Sequence, residues 1–327
     1  MSPYRATAIA HPNIALVKYW GKRDVLLNLP AAGSISVTLD KLETRTTVHI
    51  DPAATVDQVM LNGQDVTTSS SRVLQCVKRL CDHAGVIGGV AVETANSFPT
   101  AAGLASSASG YAALVTAVAA ALDLDLDPRI LSVEARRGSG SAARSLFGGY
   151  VEMHEGSAAD GTDCYAEPLT DGDTLPLSVV IAITSRDAKS HSSTDGMEAS
   201  RKTSPFYSEW VDSTRRDLPD ARKAILAGDF DALADVTVHS CMKMHATMIA
   251  THPPLLYWSS GTVAAMHAVM DIRSQGFPAF FTVDAGPQLK VFVPPSRATE
   301  MADLLRQVHG VLDVLTVGTG GPARIVP

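Results

Sequence analysis

The chain has 327 residues, 46% hydrophobic and 19% charged, which excludes a disordered protein and allows a large core without disulfide support. A formal net charge of -7 argues against a broad nucleic-acid or anionic-lipid surface, so any anion site must be a local cluster of lysine, arginine and backbone N–H groups. Cys76, Cys81, Cys164 and Cys241 form no CxxC pair and have no zinc-type histidine spacing, and the apolar stretch 111–122 is too short to span a bilayer. With His11, Pro12 and Asn13 interrupting any N-terminal signal core, a cytoplasmic protein without membrane or nucleic-acid partners is expected.

In chain order, short β-type runs fall within 5–17 and 34–50, and Val59–Leu61 before Asn62-Gly63 predicts a strand entering a turn. Val73, Leu74, Val77 and Leu80 share one face of a helix over 69–84, and a strand over 88–94 follows. After Pro99, a run of small residues opens into a helix over 106–122, and Pro128 starts another that reaches Arg137. A Gly/Ser-rich stretch, 138–149, leads into a strand over 150–153, and the polar segment 155–176 reads as a surface loop. A buried-type strand over 177–184 precedes a shift to long helices from about Glu198, Pro219, Phe230 and Gly261. Phe277–Val283 and Leu289–Val293 read as a hairpin; a helix from about Arg297, a strand near Val314 and a Gly-rich tail at 318–321 complete the chain. The mixed order predicts an α+β fold rather than a doubly wound parallel sheet. At roughly 150 residues per domain the length predicts two domains, divided at the change of composition into 1–185 and 186–327.

Four segments carry possible chemistry. Pro99–Ser109 places small residues before a strong helix, where free N–H groups and the helix dipole make an anion cradle; the same residues would also suit a helix packed tightly on a sheet. Neither GxxxxGK[ST] nor GxGxxG is present. Asn13–Asp24 brings Lys18, Tyr19 and Lys22 together after an apolar strand, as phosphate ligands or as solvated residues at a strand end. Arg136–Ser145 alternates Ser139 and Ser141 with glycines before Arg144, whose fork suits a carboxylate or phosphate, although a flexible linker reads similarly. Asp284 ends an apolar strand at Ala285-Gly286-Pro287, as a held carboxylate or a turn former. His239, His245 and His252 are unevenly spaced among methionines and read as core and helix residues rather than metal ligands.

NIALVKYWGKRD, FPTAAGLASSASG, GSGSAARS and VDAGP, in this order, resemble the signatures of the mevalonate diphosphate decarboxylases of the GHMP kinase superfamily. The resemblance spans nearly the whole chain. It implies a two-domain α+β GHMP-kinase fold, an N-terminal ATP-binding domain and an active site in the cleft between domains. It further implies that Gly103, Leu104, Ala105, Ser106 and Ser107 wrap the ATP triphosphate, with Ser106 or Ser107 near Mg2+, and that Asn96 and Ser97 contact the nucleotide. Tyr19, Lys22, Ser139, Ser141 and Ser193 would bind the substrate, Arg144 its carboxylate, Lys18 would lie at the reacting end, and Asp284 would orient the tertiary hydroxyl and take its proton. Some bacterial members carry an arginine where this chain has Thr194, which removes one cationic contact. The implied reaction is ATP-dependent conversion of mevalonate 5-diphosphate to isopentenyl diphosphate and CO2, by a homodimer. Alternatives are decarboxylation of mevalonate 5-phosphate, phosphorylation of mevalonate at C3 without CO2 loss, or a non-catalytic sensor, which would be expected to lose Asp284, Lys18 or Arg144.

Overall fold

A computed structural model describes residues 4–98, 106–187 and 192–327. The first half contains β1 (Arg5–Ala10), β2 (Asn13–Val17), β3 (Lys22–Asp24), β4 (Leu29–Pro30), β5 (Ser34–Thr38), β6 (Thr44–Asp51), β7 (Gln58–Leu61), β8 (Gln64–Asp65), α1 (Ser71–Ala84) and β9 (Gly89–Asn96). It continues with α2 (Ser106–Ala121), α3 (Pro128–Gly138), α4 (Ala142–Ser145), β10 (Tyr150–Met153) and β11 (Ala166–Thr170). The second half has β12 (Ser178–Ile183), α5 (Ser193–Thr203), α6 (Tyr207–Ala227), α7 (Phe230–Ile249), α8 (Ser260–Ser274), β13 (Phe280–Val283), β14 (Leu289–Val293), α9 (Ala298–Arg306), β15 (Asp313–Gly318) and β16 (Arg324–Val326).

A six-stranded sheet runs β16-β1-β6-β9-β7-β8, and two four-stranded sheets run β11-β10-β5-β2 and β13-β14-β12-β15. Along β6 every second residue is buried: Thr44, Thr46, Val48 and Ile50 turn inward, the period a half-buried strand requires. Their neighbour is α2, whose alanines allow close approach: Ala112, Ala113 and Ala117 pack with Val48 and Ile50. A second cluster joins Ile14 and Leu16 of β2 and Ile35 and Val37 of β5 to Val179 and Ile181 of β12, Phe280 and Phe292. The two halves therefore share a core.

The expected elements form with informative differences. β11 lies inside the segment read as a polar loop; its pattern is only partly buried because it pairs with β10 alone. Pro219 lies inside α6, which starts at Tyr207 rather than at the proline. A proline there removes one helix hydrogen bond, but the buried face Trp210, Thr214, Asp217, Ala221 and Ala224 runs past it unbroken. The division expected at residue 185 falls after β12, yet β12 pairs with β14 and β15 of the later sheet. β16, short and without a clear apolar pattern, crosses back to pair with β1.

The Gly-rich tail stitches this crossing. Gly320 donates to Thr38 O at 2.7 Å and accepts from Gly149 N–H at 3.0 Å. A Cβ at Gly320 would lie 1.8 Å from Leu39 O, a backbone atom that has little room to move. Gly320→Val is therefore expected to destabilise the protein by about 1–3 kcal/mol through overpacking, read as a lower urea midpoint; an unchanged midpoint would show that the tail does not hold the halves there.

Candidate active site

A cavity of about 350 Å3 opens where the end of β2, the start of α2, the α3–α4 loop, the start of α5 and the β13–β14 turn converge. Its wall carries Lys18, Lys22, Arg72 and Arg144 against one carboxylate, Asp284. This excess of positive charge exists inside a chain of net charge -7, so the anion site is local.

The segment after β2 is pinned to the second half. Lys18 N–H donates to Ser240 Oγ of α7 at 3.0 Å, Trp20 Nε1 donates to Ser200 Oγ at 3.0 Å, and Trp210 Nε1 donates to Trp20 O at 2.7 Å. Gly21 has φ +121°, and a Cβ there would meet the Tyr207 hydroxyl at 2.1 Å. Only glycine suits both conditions, and the resulting turn aims Lys22 inward, where it is 6% exposed. Lys22 Nζ donates to Asn28 Oδ1 at 2.6 Å and faces Thr194 Oγ1 at 3.4 Å. Thr194 thus contributes a hydroxyl where an arginine would have added charge. Burial, with the Arg72 charge adding to it, pushes the Lys22 ammonium down to about 8. The Tyr19 hydroxyl is buried without a partner among the described residues, and burial raises its pKa despite the pull of Arg144.

Arg144 is 2% exposed. Its guanidinium donates to Ser36 Oγ at 2.9 Å, Ser34 Oγ at 2.5 Å and Asn13 Oδ1 at 3.1 Å. All three acceptors are neutral, and among the described residues no carboxylate lies within ion-pair distance of it. A buried charge without a counter-charge is costly; burial pushes the Arg144 pKa down to about 10. Such a group is set for an anionic ligand. Asn13, which orients it, is itself held by Ser141 O and Ser145 Oγ.

Asp284 sits between two ammonium groups: Lys18 Nζ at 2.5 Å from Oδ1 and Lys290 Nζ at 3.1 Å from Oδ2. Burial alone would raise its pKa, but the two lysines outweigh burial and hold the carboxyl below the usual carboxylate range. The strand before it is clamped on α7: Val283 N–H donates to Cys241 Sγ at 3.2 Å, and His245 Nε2 lies 3.1 Å from Val283 O. His245 is a core residue packed on Trp258, with ring centroids 4.7 Å apart.

Most of the expected residues meet in this cavity. Ser106, Ser107, Ser139, Ser141 and Ser193 line it, with Ser139 Oγ 3.3 Å from Ser107 Oγ, which brings the α2 start against the α3–α4 loop. Gly103, Leu104 and Ala105 lie outside the described residues. Asn96 lines an adjoining cavity of about 240 Å3 with Val59, Leu61, Val92 and Leu114, joined to the first through Ser106, Ser107 and Tyr111. Ser97, also expected at the nucleotide, is exposed and lines neither cavity among the described residues; its hydroxyl accepts from Glu43 N–H at 2.9 Å and its own N–H donates to Glu43 O at 2.9 Å, a pairing that extends the β6–β9 ladder by one residue. Arg136 is structural, donating to the carbonyls of Gly161, Cys164 and Leu27. Sequence reasoning passed over Lys290, Arg72 and the role of Asn13. A lysine inside the apolar run Leu289–Val293 was the available signal for the first.

Fold and cleft together define a two-domain protein of the GHMP-kinase fold with a cation-rich cleft between its halves. Residues 10–166 match the diphosphomevalonate decarboxylase-like N-terminal domain and residues 179–318 the mevalonate 5-diphosphate decarboxylase C-terminal domain; the chain belongs to the diphosphomevalonate decarboxylase family. It is 36% identical to a diphosphomevalonate decarboxylase of Ganoderma lucidum over 93% of this chain and 82% of that protein. The crystal structure of mevalonate diphosphate decarboxylase from Staphylococcus aureus superposes with a TM-score of 0.93 at 37% identity, covering 99% of this chain and 98% of that one. A complex described as MDDEF with MVAPP, AMPPCP and magnesium superposes with a TM-score of 0.90 at 36% identity, covering 98% of each chain.

Lys22 must be protonated to attract a phosphate, so affinity for inorganic diphosphate is expected to fall as pH rises through about 8. Lys22→Arg should remove that fall, because a guanidinium stays charged. Calorimetric titration on both forms tests this; a wild-type affinity that is flat across this range would take Lys22 out of the anion site.

Proposed function

We propose that this chain catalyses ATP-dependent decarboxylation of mevalonate 5-diphosphate, giving isopentenyl diphosphate, CO2, ADP and phosphate. The observation that carries the reading is the pairing, in one cleft, of Lys22 and Arg144, buried and without a carboxylate partner among the described residues, with the Asp284 carboxylate held between two lysines. A substrate with a diphosphate at one end, a carboxylate at the other and a hydroxyl between them fits this arrangement. The relatives' bound molecules, MVAPP and the nucleotide analogue AMPPCP, support it.

In this reading Lys22 and Tyr19 hold the diphosphate, with the hydroxyls of Ser139, Ser141 and Ser193 around it, and Arg144 takes the substrate carboxylate. Arg144 is already oriented by Ser34, Ser36 and Asn13, so little ordering remains to be done on binding. The smaller, apolar-walled cavity suits the nucleotide base, with Asn96 at its edge. Its junction with the main cavity at Ser106 and Ser107 supports a triphosphate at the start of α2, where the helix dipole favours negative charge. The hydroxyls of Ser106, Ser107 and Ser139 are hard oxygen donors beside that junction, a set that fits Mg2+ held mainly through water and nucleotide phosphates. When bound, the ion neutralises phosphate oxygens.

A tertiary hydroxyl is a poor leaving group. Phosphoryl transfer from ATP to the C3 oxygen converts it to a phosphate ester and releases ADP. Asp284, ionised and held from both sides, orients the hydroxyl and takes its proton; a carboxylate of low pKa is a weak base, so the proton moves late, together with phosphoryl transfer. Cleavage of the C3–O bond develops positive charge at C3, the C1–C2 bond breaks to release CO2, and its electron pair forms the C2–C3 double bond. Lys18, beside Asp284 and lining the cavity, stabilises the transferring phosphoryl group. The free, buried state of the four cysteines supports a reducing, cytoplasmic setting.

Given Mg-ATP and mevalonate 5-diphosphate, the protein is expected to release ADP and CO2 in equal amounts; ADP without CO2 would make it a kinase and overturn the reading. Asp284→Asn should keep nucleotide binding and lower turnover by at least about 10²-fold, the usual contribution of a positioned base. Near-normal turnover in that variant would remove Asp284 from the chemistry.

A further inference from the structure

Lys18 and Lys290 both face Asp284, but they are not equivalent. Lys18 lines the cavity, within reach of a ligand. Lys290 lies behind the carboxylate on β14, paired across to Thr282 of β13 and Ile181 of β12, and is fully buried. The carboxylate therefore has one partner that a phosphoryl group can draw away and one that it cannot reach. A lysine buried in a strand costs stability unless a counter-charge offsets it, and its position in the middle of the sheet gives no packing reason for an ammonium rather than an apolar side chain.

We propose that Lys290 is a positioning residue for the reaction: it holds Oδ2 of Asp284 and supplies the counter-charge that the carboxylate keeps when Lys18 turns to the phosphoryl group being transferred. This rests on the decarboxylase reading above. The titratable groups that face Asp284 come from four directions: Lys18 after β2, Lys290 on β14, Arg144 on α4, and Cys241 and His245 on α7. Burial pushes the Cys241 thiol up and His245 down to about 3, so neither carries charge near neutral pH. Arg144 is held by Ser34, Ser36 and Asn13 and makes no ion pair with Asp284 among the described residues. Once Lys18 is engaged elsewhere, Lys290 is the cation among the described residues that remains in contact to oppose the effect of burial on the Asp284 carboxyl. A protonated Asp284 could not accept the hydroxyl proton, and an unanchored one would lose its orientation.

The test follows Asp284 by carbon-13 NMR of carboxyl-labelled aspartate, with Asp284→Asn assigning the resonance, in the full-length wild type, Lys290→Met and Lys290→Gln. Removing the ammonium should raise the Asp284 pKa by about 1–3 units, the usual size of one close opposite charge. Turnover should fall most at acid pH, where the carboxyl protonates, and recover as pH rises, with KM for both substrates unchanged. An unmoved Asp284 pKa, or a loss of the same size at every pH, would leave Lys290 a purely structural residue and overturn the proposal. Should neither variant fold, Lys18→Met carries the test: Lys290 should hold the Asp284 pKa below the usual carboxylate range there, and titration at or above that range would overturn the proposal. The NMR readout requires no turnover. A wild type that released no CO2 would therefore count against the decarboxylase reading, while the coupling of Lys290 to Asp284 was still measured.

Discussion

One carboxylate between two buried ammonium groups organises this cleft. Asp284 is reached by Lys18 at 2.5 Å and by Lys290 at 3.1 Å, with both lysines buried. Burying two ammonium groups beside a half-buried carboxylate is expensive, and apolar side chains in their place would be expected to fold at least as well. The fold accepts this cost where the chemistry requires a carboxylate that stays ionised and does not wander. Arg144 repeats the theme with neutral partners in place of a counter-ion. Among the described residues the cleft therefore carries more positive than negative charge, which suits an anionic ligand.

The surrounding architecture keeps these charges in register. α7 packs against both β2 and β13, and its side chains grip the backbone on either side of the pair: Ser240 at Lys18, Cys241 and His245 at Val283. The core shared by β2, β5 and β12 joins the two halves. Close packing transmits small displacements, and positioned catalysis is sensitive to errors of about an ångström. A change on the buried face of α7 would therefore be felt at Asp284 without touching substrate. Tyr19 and Lys22, on either side of Trp20, depend likewise on the Trp20–Trp210 clamp.

Much of the site was legible in the sequence because its residues occupy short, distinctive segments: Lys18 to Lys22, Ser139 to Arg144, and Asp284. What could not be read was how they meet, since Lys18 and Asp284 are 266 positions apart. Lys290 was overlooked because a strand pattern scores residues by face and carries no record of which buried neighbour needs a charge. Ser97 could not be told apart from Asn96 in the sequence, because adjacency says nothing about a hydroxyl that accepts from Glu43 N–H across the sheet. β11 and β16 lack a full apolar alternation, each being secured by a single neighbouring strand, and α6 passes through Pro219 because tertiary packing on its buried face outweighs local propensity.

The central claim is that under-neutralised cations in the cleft select a multiply charged substrate for the Asp284 chemistry. The most direct test compares kcat/KM for mevalonate, its 5-phosphate and its 5-diphosphate on one preparation with Mg-ATP, capturing CO2 in each case. Efficiency is expected to rise steeply with each phosphate, with the diphosphate turned over best. Mevalonate or the monophosphate processed as efficiently as the diphosphate would contradict the account, because the charges around Lys22 would then play no part in choosing the substrate.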